Sequence, residues 1–348
     1  MTNIKLSQPG IYVPENIPIN VITNQDLERI VDTSDEWITS RTGMKERRIS
    51  HDKNVREMAV LAVKNLLAKT NTNPEEIDEI IFATNRHDNE QEFPNHANYV
   101  VRMIGARDGI PAYDQGVGCS GLLFAIRSGY NSMIVENKNK VIAIGSERLT
   151  DMTDYFDRNT CVLFGDGAGA YLLFRSEEEG IIKNVVYGRP DKGDNKDWKN
   201  GYLALERKKG LKIKIAEDQS RSKFEIYEKE QNYLVMKGNE IFEFASKVMR
   251  SAIHDVVKGT NYKLEDIDVI IPHGANSRII RSAKEGLEKK GFRGQVITNL
   301  EKYGNTSTAS VALAEAEAIE QGLIKPNSLV ARVVFGAGFS WAANLSRS

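Results

Sequence analysis

The sequence predicts an α/β protein in which one domain is used twice, on three observations. Apolar runs alternate with amphipathic stretches along the chain, the pattern of strands and helices packed in layers. The second half also echoes the first. Pro74 to Thr84 (PEEIDEIIFAT) matches Leu264 to Gly274 (LEDIDVIIPHG), each reading as a helix end, a short turn and a buried strand. The two copies lie about 190 residues apart, far beyond solenoid periods, so the repeated unit is a whole domain. Finally, a glycine-rich strand signal appears twice, at Phe164–Gly169 and Phe335–Phe339. The halves are expected at residues 1–175 and 176–348.

Composition narrows the function classes. The chain has 348 residues, 41% hydrophobic and 27% charged, enough for a sizeable core. A net charge of -1 gives no reason to expect nucleic-acid binding. Two cysteines, Cys119 and Cys161, do not make a disulfide framework and fit a reducing compartment. Met1 to Gln8 lacks the apolar core of a secretory signal, and no run is long enough to cross a bilayer. A soluble, cytoplasmic protein is expected, without nucleic acid or membrane partners.

Along the chain, the first chemical signal is basic and aromatic. Arg41, Arg47 and Arg48 stand near Trp37, either as solvated surface or as a seat for an adenine ring and phosphates. The stretch Tyr113 to Ile126 follows, with Cys119 between Gly118 and Ser120-Gly121. It reads as strand, small-residue loop and apolar helix. A helix N-terminus aimed at a sulfur favours the thiolate, so the pKa of Cys119 is expected to fall. The alternative is a structural cysteine packed beneath the turn. Gly165 to Gly169 lacks the Gly-Lys-Ser/Thr of a nucleotide loop and reads as close backbone packing. Between Gly188 and Gln231 the chain is rich in Lys, Asp and Glu, as expected of a solvated excursion with a hairpin.

His273 follows the apolar run Ile267 to Pro272, where a strand end can present it to a pocket or bury it in a satisfied core. Asn305 precedes a helix expected over Val311 to Gln321, and can be a site residue or an N-cap. In sheets of this kind ligands bind beyond the carboxyl ends of strands. With two equivalent halves those ends face each other, so Cys119 should meet His273 and Asn305 across the seam. His51, His87, His96 and His254 have no metal-ligand spacing.

Asp32 to Ile38 and Arg41 to Ile49 together resemble the N-terminal signature of the β-ketoacyl-acyl-carrier-protein synthase III family. The Cys119 segment, Phe164 to Ala170, His273 to Asn276, Gly304 to Ser307 and Phe335 to Trp341 occur in that family's order, from about Ile11 to Ala342. The resemblance implies a thiolase-like fold, a duplicated five-layer αβαβα sandwich acting as a homodimer. It implies a Cys-His-Asn site carried by Cys119, His273 and Asn305, with the backbone of Cys119 and Ala337 as the oxyanion hole. Trp37 and Arg158 would clamp the adenine of coenzyme A, with Arg41 nearby. Asn239 and Asn276 would line the pantetheine tunnel. Phe93 would cross to close the partner's acyl pocket, and Arg278 would meet the acidic carrier protein.

The implied reaction is decarboxylative condensation of an acyl-CoA with malonyl-acyl-carrier protein, which initiates fatty-acid synthesis. No metal or further cofactor is called for. A neutral His273 is required, and its titration is expected in the activity profile. Gly274 stands where the family commonly has Gln, Ala337 interrupts a glycine trio, and the Gly188–Gln231 region is long for the family. These departures bear on the acyl pocket, and leave open a condensing enzyme or acyltransferase of secondary metabolism with another acyl donor. A Cys-His-Asn hydrolase and a non-catalytic binding protein are the remaining alternatives.

Overall fold

The computed structural model describes residues 3–85, 94–189, 203–216 and 223–348. The first half contributes strands β1 (Asn3–Leu6), β2 (Gly10–Tyr12), β3 (Val21–Thr23) and β4 (Glu46–Arg48). They are followed by β5 (Glu79–Ala83), β6 (Ala112–Gln115), β7 (Lys140–Arg148) and β8 (Asp166–Ser176). Its helices are α1 (Asn24–Glu28), α2 (Asp35–Thr42), α3 (Val55–Thr70), α4 (His96–Ile104) and α5 (Gly121–Val135). Beyond them come β9 (Ile181–Gly188), β10 (Leu203–Ile215), β11 (Phe224–Met236), β12 (Val269–Pro272) and β13 (Gln295–Val296). The last strands are β14 (Leu329–Gly336) and β15 (Ser340–Arg347). The corresponding helices are α6 (Gly238–Val257), α7 (Ser277–Glu288), α8 (Leu300–Tyr303) and α9 (Ser310–Glu320).

Two mixed sheets carry the molecule. One runs β1-β8-β7-β5-β6, with β2 also paired to β8, and the other runs β9-β15-β14-β12-β13. The orders correspond strand for strand, and so do the directions. β5 is parallel to β6 and β7, as β12 is to β13 and β14. The antiparallel pair β7–β8 matches β14–β15. A short 3-10 turn precedes β5 at Pro74–Glu76 and β12 at Leu264–Asp266, where the sequence repeat lies.

Strand periodicity explains the layers. In β5, Ile81 and Ala83 face one core while Ile80 and Phe82 face another. In β14, Val330 and Val334 join the first core, and Leu329, Ala331 and Val333 join a third. The shared core holds α5 and α9 between the sheets, through residues such as Leu122, Ile126, Val311 and Ala314. Helices α3 and α4 cover the outside of the first sheet, and α6 and α7 that of the second. The fold is therefore a five-layered αβαβα sandwich with both sheets buried on both faces. Gly169 belongs to its packing: a Cβ there would lie 2.3 Å from the Ala312 side chain, so β8 and α9 touch backbone to helix. The reading of Gly165–Gly169 as close packing holds.

The charged stretch after Gly188 differs in part from expectation. A hairpin is present, β10 with β11, but it continues to Met236 and is not simply solvated. Ile213, Phe224 and Leu234 are buried against the cluster around Leu149, Met152 and Tyr155, while Tyr233 is buried on the other face of the hairpin. Asp154 Oδ1 accepts the Leu211 N–H at 2.9 Å, and Lys212 Nζ donates to the Thr150 carbonyl at 2.6 Å. Alternation set one apolar face inward, and the charges that dominate the composition mask it.

Candidate active site

The loop between β6 and α5 is locked onto the turn that follows β14. A Cβ on Gly336 would lie 2.5 Å from the Cys119 nitrogen, and one on Gly118 (φ +55°) 2.6 Å from the Ala337 nitrogen. Only glycine permits that approach. Ser120 Oγ donates to the Ser340 carbonyl at 3.0 Å, and Ser340 Oγ returns a bond to the Val117 carbonyl at 3.0 Å. The backbone around Cys119 and that around Ala337 are thereby held in contact.

A cavity of about 640 Å³ opens over this seam. Cys119, His273, Asn305 and Ala337 line it together, as do Trp37, Arg41, Asn276 and Arg278. His273 extends β12: its N–H donates to the Val333 carbonyl at 2.8 Å, and its ring meets Phe335 edge-on at 5.2 Å. Ser310 Oγ stands 2.8 Å from both His273 Nδ1 and the Ser307 carbonyl. Its single proton serves one of them at a time. Donated to Nδ1, it leaves Nε2 carrying the ring proton; donated to the carbonyl, it leaves Nε2 bare. His273 is 1% exposed, and burial lowers its pKa to about 3, so the imidazole is neutral. The expectation that it titrates in the activity profile is corrected here.

Asn305 is not an N-cap of α9. Its Oδ1 accepts the Ser307 N–H at 2.9 Å, which leaves Nδ2 as the end able to donate into the cavity. Its backbone is pinned to Leu163 and Gly165 of the other half by bonds of 2.8 and 3.1 Å.

Cys119 departs from expectation in its titration. The residue is half-buried two positions before α5, but burial of the sulfur pushes the thiol up to about 12, and the Glu147 carboxylate adds to the rise. Desolvation outweighs the helix N-terminus. A hydrogen bond from Ser307 works the other way.

At the rim, Arg158 lies over the Trp37 ring at 4.4 Å and Arg41 at 5.7 Å. Arg158 is 3.9 Å from Asp32. Arg47 and Arg48 do not join this cluster, which corrects their grouping with Trp37. Both are 1% exposed. Arg47 binds the Val162 carbonyl and Asn24, while Arg48 binds Glu46 and stacks on Tyr303. As neighbours on β4 they point to opposite faces of the strand, and both faces are covered. Asn276 caps α7 through Oδ1 to the Arg278 N–H at 2.8 Å, and Arg278 lies exposed over Phe242. Asn239 falls in the first turn of α6 with its side chain outside what the structure describes, and Phe93 lies outside the described residues. Met236, Lys237 and Phe242 also line the cavity. They lie at the end of β11 and the start of α6, a stretch that no sequence motif marks. Glu147 and Ser307 were missed as well.

Among the described residues no helix is long and apolar enough to cross a membrane, and no cluster of His, Cys, Asp and Glu suited to a metal occurs.

Comparison with known proteins places these features in a family. Residues 113–189 match the family model for 3-oxoacyl-acyl-carrier-protein synthase III, and residues 257–348 match its C-terminal model. A β-ketoacyl-acyl-carrier-protein synthase III from Caldanaerobacter subterraneus subsp. tengcongensis is 41% identical over 97% of this chain and 95% of its own. The synthase III of Aquifex aeolicus is 37% identical over 99% of both chains. The crystal structure of 3-oxoacyl-acyl-carrier-protein synthase III from Aquifex aeolicus VF5 superimposes with a TM-score of 0.84 at 36% identity, covering 99% of this chain and 100% of that one.

Proposed function

The chain belongs to the β-ketoacyl-acyl-carrier-protein synthase III family, and from that premise we propose how its residues divide the work of an acyl-transferring condensing enzyme. The reaction is condensation of an acyl-CoA primer with malonyl-acyl-carrier protein to give the 3-oxoacyl product, the first step of a fatty-acid chain. The observation that carries the assignment of roles is the single cavity that Cys119, His273 and Asn305 line together.

Cys119 takes the acyl group. Its thiolate attacks the thioester carbon, and the carbon–sulfur bond to coenzyme A breaks as the coenzyme leaves as thiolate. The Cys119 and Ala337 amides hold the oxyanion of the tetrahedral intermediate. Malonyl-acyl-carrier protein then enters. Asn305 Nδ2 and His273 Nε2 donate to its thioester oxygen, which stabilises the enolate as carbon dioxide departs. For this Ser310 must donate to Nδ1, so that the ring proton sits on Nε2. A neutral imidazole suits the task, because it donates without protonating the carbanion. That carbanion attacks acyl-Cys119 and releases the product.

Coenzyme A enters as the thioester of the primer. Its adenine would be clamped between Trp37 and Arg158, a step that requires Arg158 to lift from its place 4.4 Å over the ring. Arg41 would take phosphate charge, Asn239 and Asn276 would flank the pantetheine arm, Phe93 would close the partner's pocket, and Arg278 would meet the acidic carrier. A cytoplasmic homodimer is part of this reading, as is a division of the halves at residues 1–175 and 176–348. Sedimentation at micromolar concentration tests the dimer.

Cys119→Ser tests the central assignment. The variant should form no acyl-enzyme by mass spectrometry while retaining some malonyl decarboxylation. Condensation at the wild-type rate would remove Cys119 from its role. A panel of acyl-CoAs, weighed as acyl-Cys119, identifies the primer.

A further inference from the structure

Arg47, on β4, is a buried cation that the condensation chemistry above does not use. Its Nε donates to the Val162 carbonyl at 3.0 Å, Nη2 donates to the same oxygen, and Nη1 donates to Asn24 Oδ1 at 2.5 Å. Asn24, at the start of α1, is fully buried and carries the brace further. Its Nδ2 donates to Asp35 Oδ1 at 2.6 Å and to the Met44 carbonyl at 2.9 Å. Asp35 opens α2 and Met44 follows its C-cap, Gly43, so one side-chain amide grips both ends of the helix that presents Trp37 and Arg41. On the other side, Val162 leads into the stretch that holds Asn305. The Leu163 carbonyl accepts the Asn305 N–H at 2.8 Å, and the Gly165 N–H donates to the Asn305 carbonyl at 3.1 Å. The Arg47 stem also packs on Gly304, where a Cβ would lie 3.0 Å from its Cγ and 2.6 Å from the Leu163 carbonyl oxygen. Gly304 has φ +65° and ψ -154°, a backbone that essentially only glycine adopts, and it sets the direction in which the chain enters Asn305.

Resting on the assignment of Asn305 as a donor to the malonyl thioester, we propose that Arg47 is a positioning residue for Asn305, and that Asn24 ties the same brace to α2. One run of buried hydrogen bonds then passes from α2 through Asn24 and Arg47 to residues 162–165 and on to Asn305. It sets both the helix that would hold coenzyme A and the side chain that would stabilise the enolate. Arginine suits this place because its planar fork reaches two acceptors in fixed directions at once, whereas an ammonium group is a single point.

Core packing alone does not account for a cation here. Arg47 is held by a carbonyl and an amide oxygen, and by no carboxylate among the described residues. Burial lowers its pKa to about 10, so it stays charged at neutral pH. Burying a charge is unfavourable, and an apolar side chain of similar length would fill the space more cheaply. What Arg47 supplies instead is direction. Asn305 Nδ2 must meet the oxygen of the forming enolate, and a misplacement of about 1 Å can cost a hundredfold in rate. Cys119 and Ala337 are held differently, by contacts between the loop before α5 and the turn after β14 that involve neither Arg47 nor Asn24. The brace therefore bears on malonyl decarboxylation and on acyl-CoA binding, and leaves the chemical step of acylation alone.

The test separates the two half-reactions. Acylation of Cys119 is followed by mass, with the acyl-CoA that the panel identifies, and carbon dioxide release from malonyl-acyl-carrier protein is followed on its own. In Arg47→Met, carbon dioxide release at saturating substrate should fall about a hundredfold, while the maximal acylation rate stays within a few-fold of wild type. Arg47→Lys keeps the stem and the charge but loses the fork, and its release should fall about tenfold. Release at the wild-type rate in Arg47→Lys would make charge the agent in place of the two-ended brace, and overturns the proposal. Equal losses in both half-reactions, the mark of a merely loosened fold, overturn it too. Leu66→Ala, a cavity in α3 on the outside of the first sheet, gives the comparison of a destabilised protein that keeps both rates. Asn24→Asp still accepts from Arg47 but sets a second carboxylate where Nδ2 lies 2.6 Å from Asp35. Repulsion there should raise KM for the acyl-CoA about tenfold and leave carbon dioxide release unchanged; an unchanged KM overturns the tie to α2. Should Arg47→Met fail to fold, Arg47→Lys decides alone. The reading of Asn305 as a donor fails separately, if Asn305→Ala releases carbon dioxide as fast as wild type.

Discussion

At the scale of single residues, burial sets protonation more strongly than sequence neighbours do. His273 lies in an apolar cleft with its Nδ1 on a hydroxyl, and its pKa falls from 6.5 to about 3. The unfolded chain therefore binds more protons than the folded one between those values. This contribution to stability is complete above about pH 6.5 and is lost as pH falls toward 3. Three outcomes are expected. The condensation rate should show no His273 limb between pH 5 and 8 in a kcat profile. In His273→Gln, malonyl decarboxylation should fall by about a hundred- to a thousandfold, as for loss of one oxyanion donor. The same variant should lose less thermal stability than wild type between pH 6.5 and 4, read by calorimetry. Cys119, His273 and Asn305 were legible in the sequence because each occupies a place with its own signature: a glycine-framed helix start, a strand end, a residue ahead of a helix. Glu147 has no such frame. Its signal was a carboxylate at the end of the apolar run Val141–Ser146, and sequence alone does not say whether that carboxylate meets solvent or is buried.

At the scale of elements, the decisive contact is the turn after β14 resting on the loop before α5. Gly336 has no room for a side chain, with the Cys119 nitrogen 2.5 Å from where a Cβ would stand. Gly336→Ala should push the Ala337 amide away from Cys119 and spoil the oxyanion pair. A displacement of about 1 Å can cost a hundredfold in rate, so acyl-enzyme formation should fall by that order. Stopped-flow acylation checks it, and acylation at the wild-type rate would mean that the two amides do not act as a pair. A milder change is expected at α2, which presents Trp37 and Arg41. Ser34 caps it by accepting the Trp37 N–H at 3.1 Å. Ser34→Ala should cost about 1 kcal/mol of stability in denaturant titration, with a larger rise in KM for acyl-CoA than fall in kcat. The fold was legible because repeated strands buried on both faces leave continuous apolar runs. The inner face of β10–β11 was not, since Lys and Glu outnumber the alternating Leu211, Ile213, Phe224 and Leu234 that carry it.

At the scale of the whole molecule, the two halves must be held in register, because the site takes residues from both. A buried polar cluster in the middle layer does part of this. Tyr171 on β8 donates to Glu315 Oε2 on α9 at 2.5 Å. Arg332 on β14 donates to the same carboxylate, and reaches Asn344 Oδ1 and Ser346 Oγ on β15 at 2.8 Å each. One connected network thus runs from the first sheet through α9 into the second. Burial alone would lower the Arg332 pKa, but Glu315 and Tyr171 raise it, so the guanidinium stays charged. A buried pair of this kind adds little net stability over well-packed apolar side chains, yet removing one partner strands the other. Glu315→Leu alone should therefore destabilise by about 3–5 kcal/mol in urea titration. Adding Arg332→Met should recover most of that loss and leave a residue of about 1–3 kcal/mol for the unpaired Tyr171 hydroxyl, which Tyr171→Phe should then remove. If the single variant costs no more than the double, Glu315 and Arg332 are not coupled. If the triple variant regains stability but not condensation rate, the cluster's contribution lies in register: it keeps Cys119 of one half opposite His273 of the other.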